Sequence, residues 1–183
     1  GEDIAAELHK EANASLAFTS NLIEENNIDC EFQICGRLRT SWLPQDQVDM
    51  SDNLKKLKAI DHFNSKMISP DRMSKSIKTD LYFGGQFYQD HGSVHPRKFH
   101  YGLLKLALEA GAKIFGNRPV IEVNKSSKIK QSGFDVVTSS STIQCKQVLM
   151  ATNGYTRSNL SKYLSRRVLP VPSFVITTVD IGK

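Results

Sequence analysis

The sequence lacks every compact signature that would announce a catalytic centre on its own. It has no G-x-G-x-x-G and no Walker-type loop; "FGGQFYQDHG" has the wrong spacing and no helix follows it at once. It has no Gly-x-Ser-x-Gly elbow and no His-Glu-x-x-His pair. Cysteine is scarce: Cys30, Cys35 and Cys145 form no Cys-x-x-Cys pair and have no histidine at ligand spacing. That pattern fits reduced, partly buried thiols in a cytosolic protein and argues against a zinc site, which needs four closely grouped ligands. Long apolar runs are absent too, so no segment is expected to span a bilayer. No charged-then-apolar leader opens the chain, so no secretory signal is expected and the expected location is cytoplasmic. Internal repeats and low-complexity tracts are also missing.

What is present is ordinary globular composition. The 183 residues are 39% hydrophobic and 23% charged, with 11 Gly and 6 Pro, which suits one domain or a little more. The net charge is +5 and the pI about 9.1, enough to raise nucleic acid as a partner. The basic residues are scattered, however, and Lys55, Lys56 and Lys58 share a helical segment with Leu54, Leu57 and Ile60. That pattern is a solvated face over an apolar stripe. No aromatic-interleaved basic motif appears, so neither nucleic acid nor a membrane is the expected partner.

Periodicity sets out the elements. Residues 3–26 read as an amphipathic helix with Ile4, Leu8, Ala12, Leu16, Leu22 and Ile23 near helical spacing, ended by Asn26 and Asn27. "CEFQICGRLRTSW" then alternates, with Phe32, Ile34, Leu38 and Trp42 on one parity. It reads as a long half-buried strand or hairpin, bulged at Gly36 and ended by Pro44. A second helix is expected from Asp52 to Phe63, and a short one at "SPDRMS" with Ser69 as cap and Pro70 at the first position. "LYFGGQFYQD" reads as a strand whose Gly84-Gly85 pair marks a kink or a close approach. His95-Pro96 opens the clearest helix, with Phe99, Leu103, Leu106, Ala107 and Ala110 on one face and Gly111 closing it. Short strands follow at "KIF", "VIEV", "FDVVT", "IQC" and "VLMA", and a strand-like run ends the chain at "RRVLPVPSFVITTVD". The mixture predicts an α/β or α+β fold.

The chemistry has few places to sit. His9, His62, His91, His95 and His100 do not pair with carboxylates at ligand spacing, and His95 reads as a helix-start residue rather than a base. The strand end "VLMATNGYT", Val148 to Thr156, carries two readings. Small residues beyond a strand's carboxyl end let a flat or charged ligand approach the backbone. Equally, Asn153 and Gly154 can simply supply positive φ in a tight turn.

The block from "GSVHP" through a Gly-terminated helix and "RPV" to "ATNGY" resembles the middle of the FAD-dependent D-amino-acid oxidase, glycine oxidase and sarcosine oxidase superfamily. Its Asn-Gly-Tyr variant is similar to the γ-glutamylputrescine oxidase-like branch. The resemblance covers nearly the whole chain and is sharper from about residue 80 onward. It implies a mixed α/β fold, with a partial Rossmann-like FAD-binding layer (residues 1–26 and 92–156) beside part of a substrate-domain antiparallel sheet (27–91 and 166–183). It implies that Val120 meets the adenine end of FAD, and that Ala151, Thr152, Asn153 and Gly154 lie against the dinucleotide. Asn153 stands where glycine is commoner. Tyr82, Tyr88, Arg37 and Arg39 are the sheet residues that could face a small amine or amino-acid substrate; no catalytic residue and no metal ligand is assigned. The G-x-G-x-x-G strand is expected before Gly1 and a flavin-contacting segment after Lys183. The expectation is therefore an interior part of an oxidoreductase that oxidises a C–N bond by hydride transfer to FAD. The chain alone is expected to hold FAD weakly or not at all, to be inactive, and to self-associate through exposed sheet edges. The alternative is a non-catalytic subunit completed by a partner, or a basic nucleic-acid-binding module.

Overall fold

The computed structural model describes residues 2–61, 63–127, 133–172, 174 and 179. It divides into two compact units, Gly1–Lys113 and Ile114–Lys183. The class is mixed α/β, and every strand pairing among the described residues is antiparallel.

In the first unit, α1 (Glu2–Glu25) ends where Asn27 enters the left-handed region at φ +49° and the Ile28 amide donates to the Ile23 carbonyl, 3.0 Å away. That is a Schellman-type stop, with asparagine in the place usually given to glycine. The expected single long strand is two short ones, β1 (Gln33–Ile34) and β2 (Arg37–Thr40), because Gly36 at φ +73° breaks the run. The alternation therefore fails at both ends. Ile34 and Trp42 are more than half exposed, while Ser41, on the supposed polar parity, is fully buried.

Pro44 does not end a strand; it begins α2 (Pro44–Ile60), eight residues before the expected start. Asp46 explains the early start. Its Oδ2 accepts from the backbone amides of Trp42 at 3.0 Å and Leu43 at 2.9 Å, fixing the helix entry. Met50 and Leu54, one turn apart, are buried. β3 (Ser65–Ile68) leads to α3 (Pro70–Ser76), which has Ser69 as N-cap as expected and buries Met73. β4 (Gly85–Tyr88) lies centrally in a sheet of order β2-β4-β3. A Cβ on Gly85 would sit 2.5 Å from the Arg39 carbonyl oxygen, so the Gly-Gly pair does mark a close approach. β5 (Gly92–Ser93) pairs with β1. α4 (Pro96–Glu109) starts from N-cap His95, whose Nδ1 accepts from the Lys98 amide, and Gly111 follows its end at φ +88°.

In the second unit, β6 (Val120–Lys125), β7 (Phe134–Thr138) and β8 (Thr142–Cys145) form a meander in chain order. "KIF" and "VLMA" are not strands. A strand is a ladder partner as much as a local preference, and the Val148–Ala151 backbone makes no hydrogen bond with another described residue. α5 (Lys162–Ser165) is one turn, capped by Ser161 Oγ accepting from the Leu164 amide. Of the last strand-like run, residues 168–172 are irregular and most of the rest lies outside the described residues, as do His62, Lys128 and Lys130.

Candidate functional site

Ala151, Thr152, Asn153 and Gly154 enter one tight turn. The Tyr155 amide donates to the Thr152 carbonyl at 3.0 Å, and the Thr156 amide and hydroxyl both donate to the Asn153 carbonyl, at 3.2 and 2.7 Å. Asn153 takes φ +46°, which asparagine tolerates better than most residues. Gly154 does not share that conformation; its role is a close approach, since a Cβ there would lie 3.3 Å from Cβ of Pro170. Ala151 and Asn153 are exposed, Thr152 and Gly154 half-buried.

Val120 opens β6 opposite Thr138 and is 40% exposed. The register slips between Val120 and Glu122, leaving Ile121 as the extra residue of a bulge. Its carbonyl accepts instead from Nδ2 of Asn159, 2.9 Å away. The chain just beyond the Thr152–Thr156 turn is thus tied to the residue beside Val120. The geometry joins the two regions that the sequence nominated through a residue, Asn159, that the sequence did not nominate.

In the first unit, the sheet β2-β4-β3 places Arg37, Tyr88 and Ser65 across from one another, and Arg39, Gln86 and Met67 likewise. These six share one face, because directly opposed residues in antiparallel strands do. Tyr82 is not among them; its ring meets Trp42 edge-on at 5.0 Å. Gln86 is buried, donates to Ser65 Oγ at 2.9 Å and accepts from the Tyr88 hydroxyl at 3.1 Å. A cleft of about 720 Å³ lined by Arg39, Gln86, Tyr88, Asp46 and Asp49 opens between this face and α2. A second cleft, of about 790 Å³, is lined by His9, Asn13, Asp61, Phe63 and Tyr88. Asn13 donates to Asp61 Oδ2 at 3.1 Å, and Phe63 meets His9 at 5.5 Å and Tyr88 at 5.8 Å. Gln86, Asn13 and Asp61 could have been suspected only as polar residues inside otherwise apolar stretches. The sequence does not show that Asn13 meets Asp61, or that Gln86 meets Ser65 and Tyr88.

The electrostatics are quiet. Glu31 and Lys98 form an ion pair at 2.6 Å. The Lys98 hydrogen bond and charge hold the Glu31 carboxyl below its usual range, and the same hydrogen bond raises the Lys98 ammonium. No described group of three or more His, Cys, Asp or Glu could hold a metal ion, and no described helix is long and apolar enough to cross a membrane.

A dinucleotide asks for a flat, small-residue surface and for backbone amides around its pyrophosphate. The first is met in part: Ala151 is exposed and the Val148–Ala151 backbone groups are unpaired among the described residues. The second is not met by α2, α3, α4 or α5. The first three open with proline and the fourth is closed by Ser161, and none follows a glycine-rich loop. Among the described residues no glycine-rich loop leads into a helix N-terminus that could cradle the phosphates of such a ligand.

Comparison with solved structures gives the fold class. Glycine oxidase from Geobacillus kaustophilus superposes with a TM-score of 0.67 at 18% identity, over 77% of this chain and 38% of that one. L-proline dehydrogenase from P. horikoshii gives 0.64 at 16% identity, over 80% and 38%. At such identities the likeness is one of fold. Residues 2–183 match the family described as FAD dependent oxidoreductase (DAO), and the chain belongs to that family. Two curated relatives, each called probable oxidoreductase OrdL, are similar over the whole chain: one from Haemophilus influenzae at 26% identity and one from Rhizobium meliloti at 30%. The chain spans 42% of the length of each.

Proposed function

We propose that this chain forms part of a FAD-dependent oxidoreductase of small amines or amino acids, in the γ-glutamylputrescine oxidase-like branch. The observation that carries the reading is the family match across residues 2–183. The names of the solved neighbours, a glycine oxidase and an L-proline dehydrogenase, support a substrate with an oxidisable C–N bond. FAD, when bound, supplies the redox chemistry, and the protein contributes orientation and electrostatics.

In this reading residues 1–26 and 92–156 belong to the FAD-binding part, and 27–91 and 166–183 to the substrate part. Val120 and the Ala151–Gly154 turn are the contact surface for the dinucleotide, and the turn is kept small so that the ligand can rest against backbone. The Arg37, Arg39 and Tyr88 face of β2-β4-β3 is the substrate side, with Gln86 holding the Tyr88 hydroxyl in place. The 183 residues alone bind FAD weakly and turn over no substrate, because the pyrophosphate has no amide cradle among them. Neither nucleic acid nor a membrane is a partner in this reading.

The test uses the flavin-loaded oxidoreductase that carries this chain, mixed without oxygen with a panel of small amines and amino acids. Bleaching of the flavin by a subset of them is expected. Failure of every amine and amino acid to bleach it would refute the substrate class. FAD retention unchanged by Ala151→Arg and by Gly154→Arg would refute the site.

A further inference from the structure

The core of the first unit holds an amide where an apolar side chain would serve. Gln86 on β4 is 3% exposed and Ser65 on β3 is 6% exposed. A buried amide costs free energy unless its polar atoms find partners. Gln86 Nε2 donates to Ser65 Oγ at 2.9 Å, and Gln86 Oε1 accepts from the Tyr88 hydroxyl at 3.1 Å. The chain of bonds therefore has a direction, from Tyr88 through Gln86 to Ser65. A leucine or methionine would fill similar space with no partner to find, so packing alone does not account for Gln86.

That direction fixes what the Tyr88 hydroxyl can do. A phenol has a single proton to donate and lone pairs with which to accept. With the proton committed to Gln86, the oxygen meets any other group as an acceptor. The ring is held on two sides, by Phe63 edge-on at 5.8 Å and by His91 at 4.9 Å. It is half-buried, and with Leu57 it lines both clefts of the first unit. In the cleft beside α2, Arg39 and Lys56 can only donate. Asp46 Oδ2 is engaged by the Trp42 and Leu43 amides, and Asp49 Oδ1 by Gln45. The Tyr88 oxygen adds a neutral acceptor whose direction is set from within the core.

We propose that Tyr88 is a specificity residue that accepts a hydrogen bond from the amine N–H of the substrate. Gln86 and Ser65 are the positioning residues that keep its own proton turned inward. The role rests on the Arg37, Arg39 and Tyr88 face being the substrate side, as proposed above. It suits the oxidation of a C–N bond. The carbon gives up its hydrogen with the bonding electron pair to FAD, and the nitrogen lone pair closes the C=N bond. A donor aimed at nitrogen would hold that lone pair back. An acceptor of the N–H leaves it free while fixing where the nitrogen sits.

Binding to the flavin-loaded oxidoreductase that carries this chain tests it, with two probes of similar shape. tert-Butylammonium offers only N–H donors and has no hydrogen on its C–N carbon to give up; pivalate offers only acceptors. Perturbation of the flavin absorbance reads the affinity of each without turnover. Tyr88→Phe is expected to lower the affinity ratio of tert-butylammonium to pivalate by about fivefold or more. Gln86→Leu should lower it too, and the double variant should fall no further than Tyr88→Phe, because Gln86 acts through Tyr88. Gln86→Glu can accept from Tyr88 but cannot donate to it, and should keep the ratio at or above that of the unaltered protein. A ratio that rises in Tyr88→Phe would mean that the hydroxyl donates outward, and overturns the proposal. An unchanged ratio, or probes that do not bind, overturns it as well. Tyr88→Phe decides the matter even if Gln86→Leu fails to fold. Bleaching by amines with an unchanged ratio would strike this role and leave the substrate class standing. A lowered ratio with no bleaching would do the reverse.

Discussion

The two units dispose of their apolar residues in opposite ways. Every buried hydrophobic residue described, Ile23, Cys30, Met50, Leu54, Ile68 and Met73, belongs to the first unit. There two sheets and the helices around them enclose a small core, and even the buried polar groups Ser65 and Gln86 satisfy each other. In the second unit the described residue with a buried side chain is Thr138, whose hydroxyl closes the β7–β8 turn by accepting from the Ser141 amide at 3.1 Å. Its large side chains lie mostly open. Local hydrogen bonds can thus shape a meander and a turn without a core behind them, but they give such a unit little reason to be stable by itself.

The largest effect should come from the first unit's core. Met73 is 1% exposed, and Met73→Ala should cost about 2–5 kcal/mol in chemical denaturation. Leu149→Ala, at a site 92% exposed, should change stability by no more than about 0.5 kcal/mol. Equal costs for the two would break the comparison. Next comes Gly84, which has φ +108° and where a Cβ would meet the Ile68 carbonyl oxygen at 2.6 Å. Gly84→Ala should lower the stability of the first unit by about 1–3 kcal/mol. A smaller effect belongs to the second unit: Asn159→Ala removes the bond to the bulged Ile121 carbonyl, a loss of about 0.5–1.5 kcal/mol. Hydrogen exchange should quicken at β6 and leave β3 and β4 unchanged; protection lost in both units would mean that they do not behave separately.

The smallest effect concerns pH. The Glu31 carboxyl is lowered in the folded chain, so its contribution is present above the ordinary glutamate range and is lost as pH falls through the lowered value. Lys98 is raised, so its contribution is present below the ordinary lysine range and is lost as pH rises through the raised value. The pair therefore acts across neutral pH. Both groups are exposed, so the effect is slight and screened by salt. Glu31→Gln should abolish the small acid-side change in melting temperature, and an undiminished change would place its origin elsewhere.

The helices were the legible part of the fold. Their signals are local: the Ser69-Pro70 start, the His95 cap and the Gly111 stop all lie where their residues indicate, whereas the expected α1 stripe holds at Ile23, which is buried, and fails at Ile4 and Leu8, which are 61% and 66% exposed. α2 was misplaced because its start depends on Asp46 reaching back to two amides, which a search for apolar periodicity does not see. The strands were less legible because a strand needs a partner. "FDVVT" and "IQC" find theirs across a three-residue turn, whereas "VLMA" has the composition and no ladder among the described residues. At the candidate site the sequence pointed to "ATNGY" but could not separate turn chemistry from ligand contact. The structure shows the turn chemistry, positive φ at Asn153, and beside it a close approach of Gly154 to Pro170 of the same chain. Asn159 and Gln86 were out of reach because their importance lies in contacts made 38 and 21 residues away.

In the proposed function these residues offer a dinucleotide a surface to rest on but no cradle for its phosphates. Flavin content of the purified 183-residue chain, measured by absorbance after equilibration with excess FAD and removal of the free cofactor, tests it most directly. The expected result is a colourless protein with far less than one FAD per chain. A yellow preparation holding one FAD per chain would contradict the account.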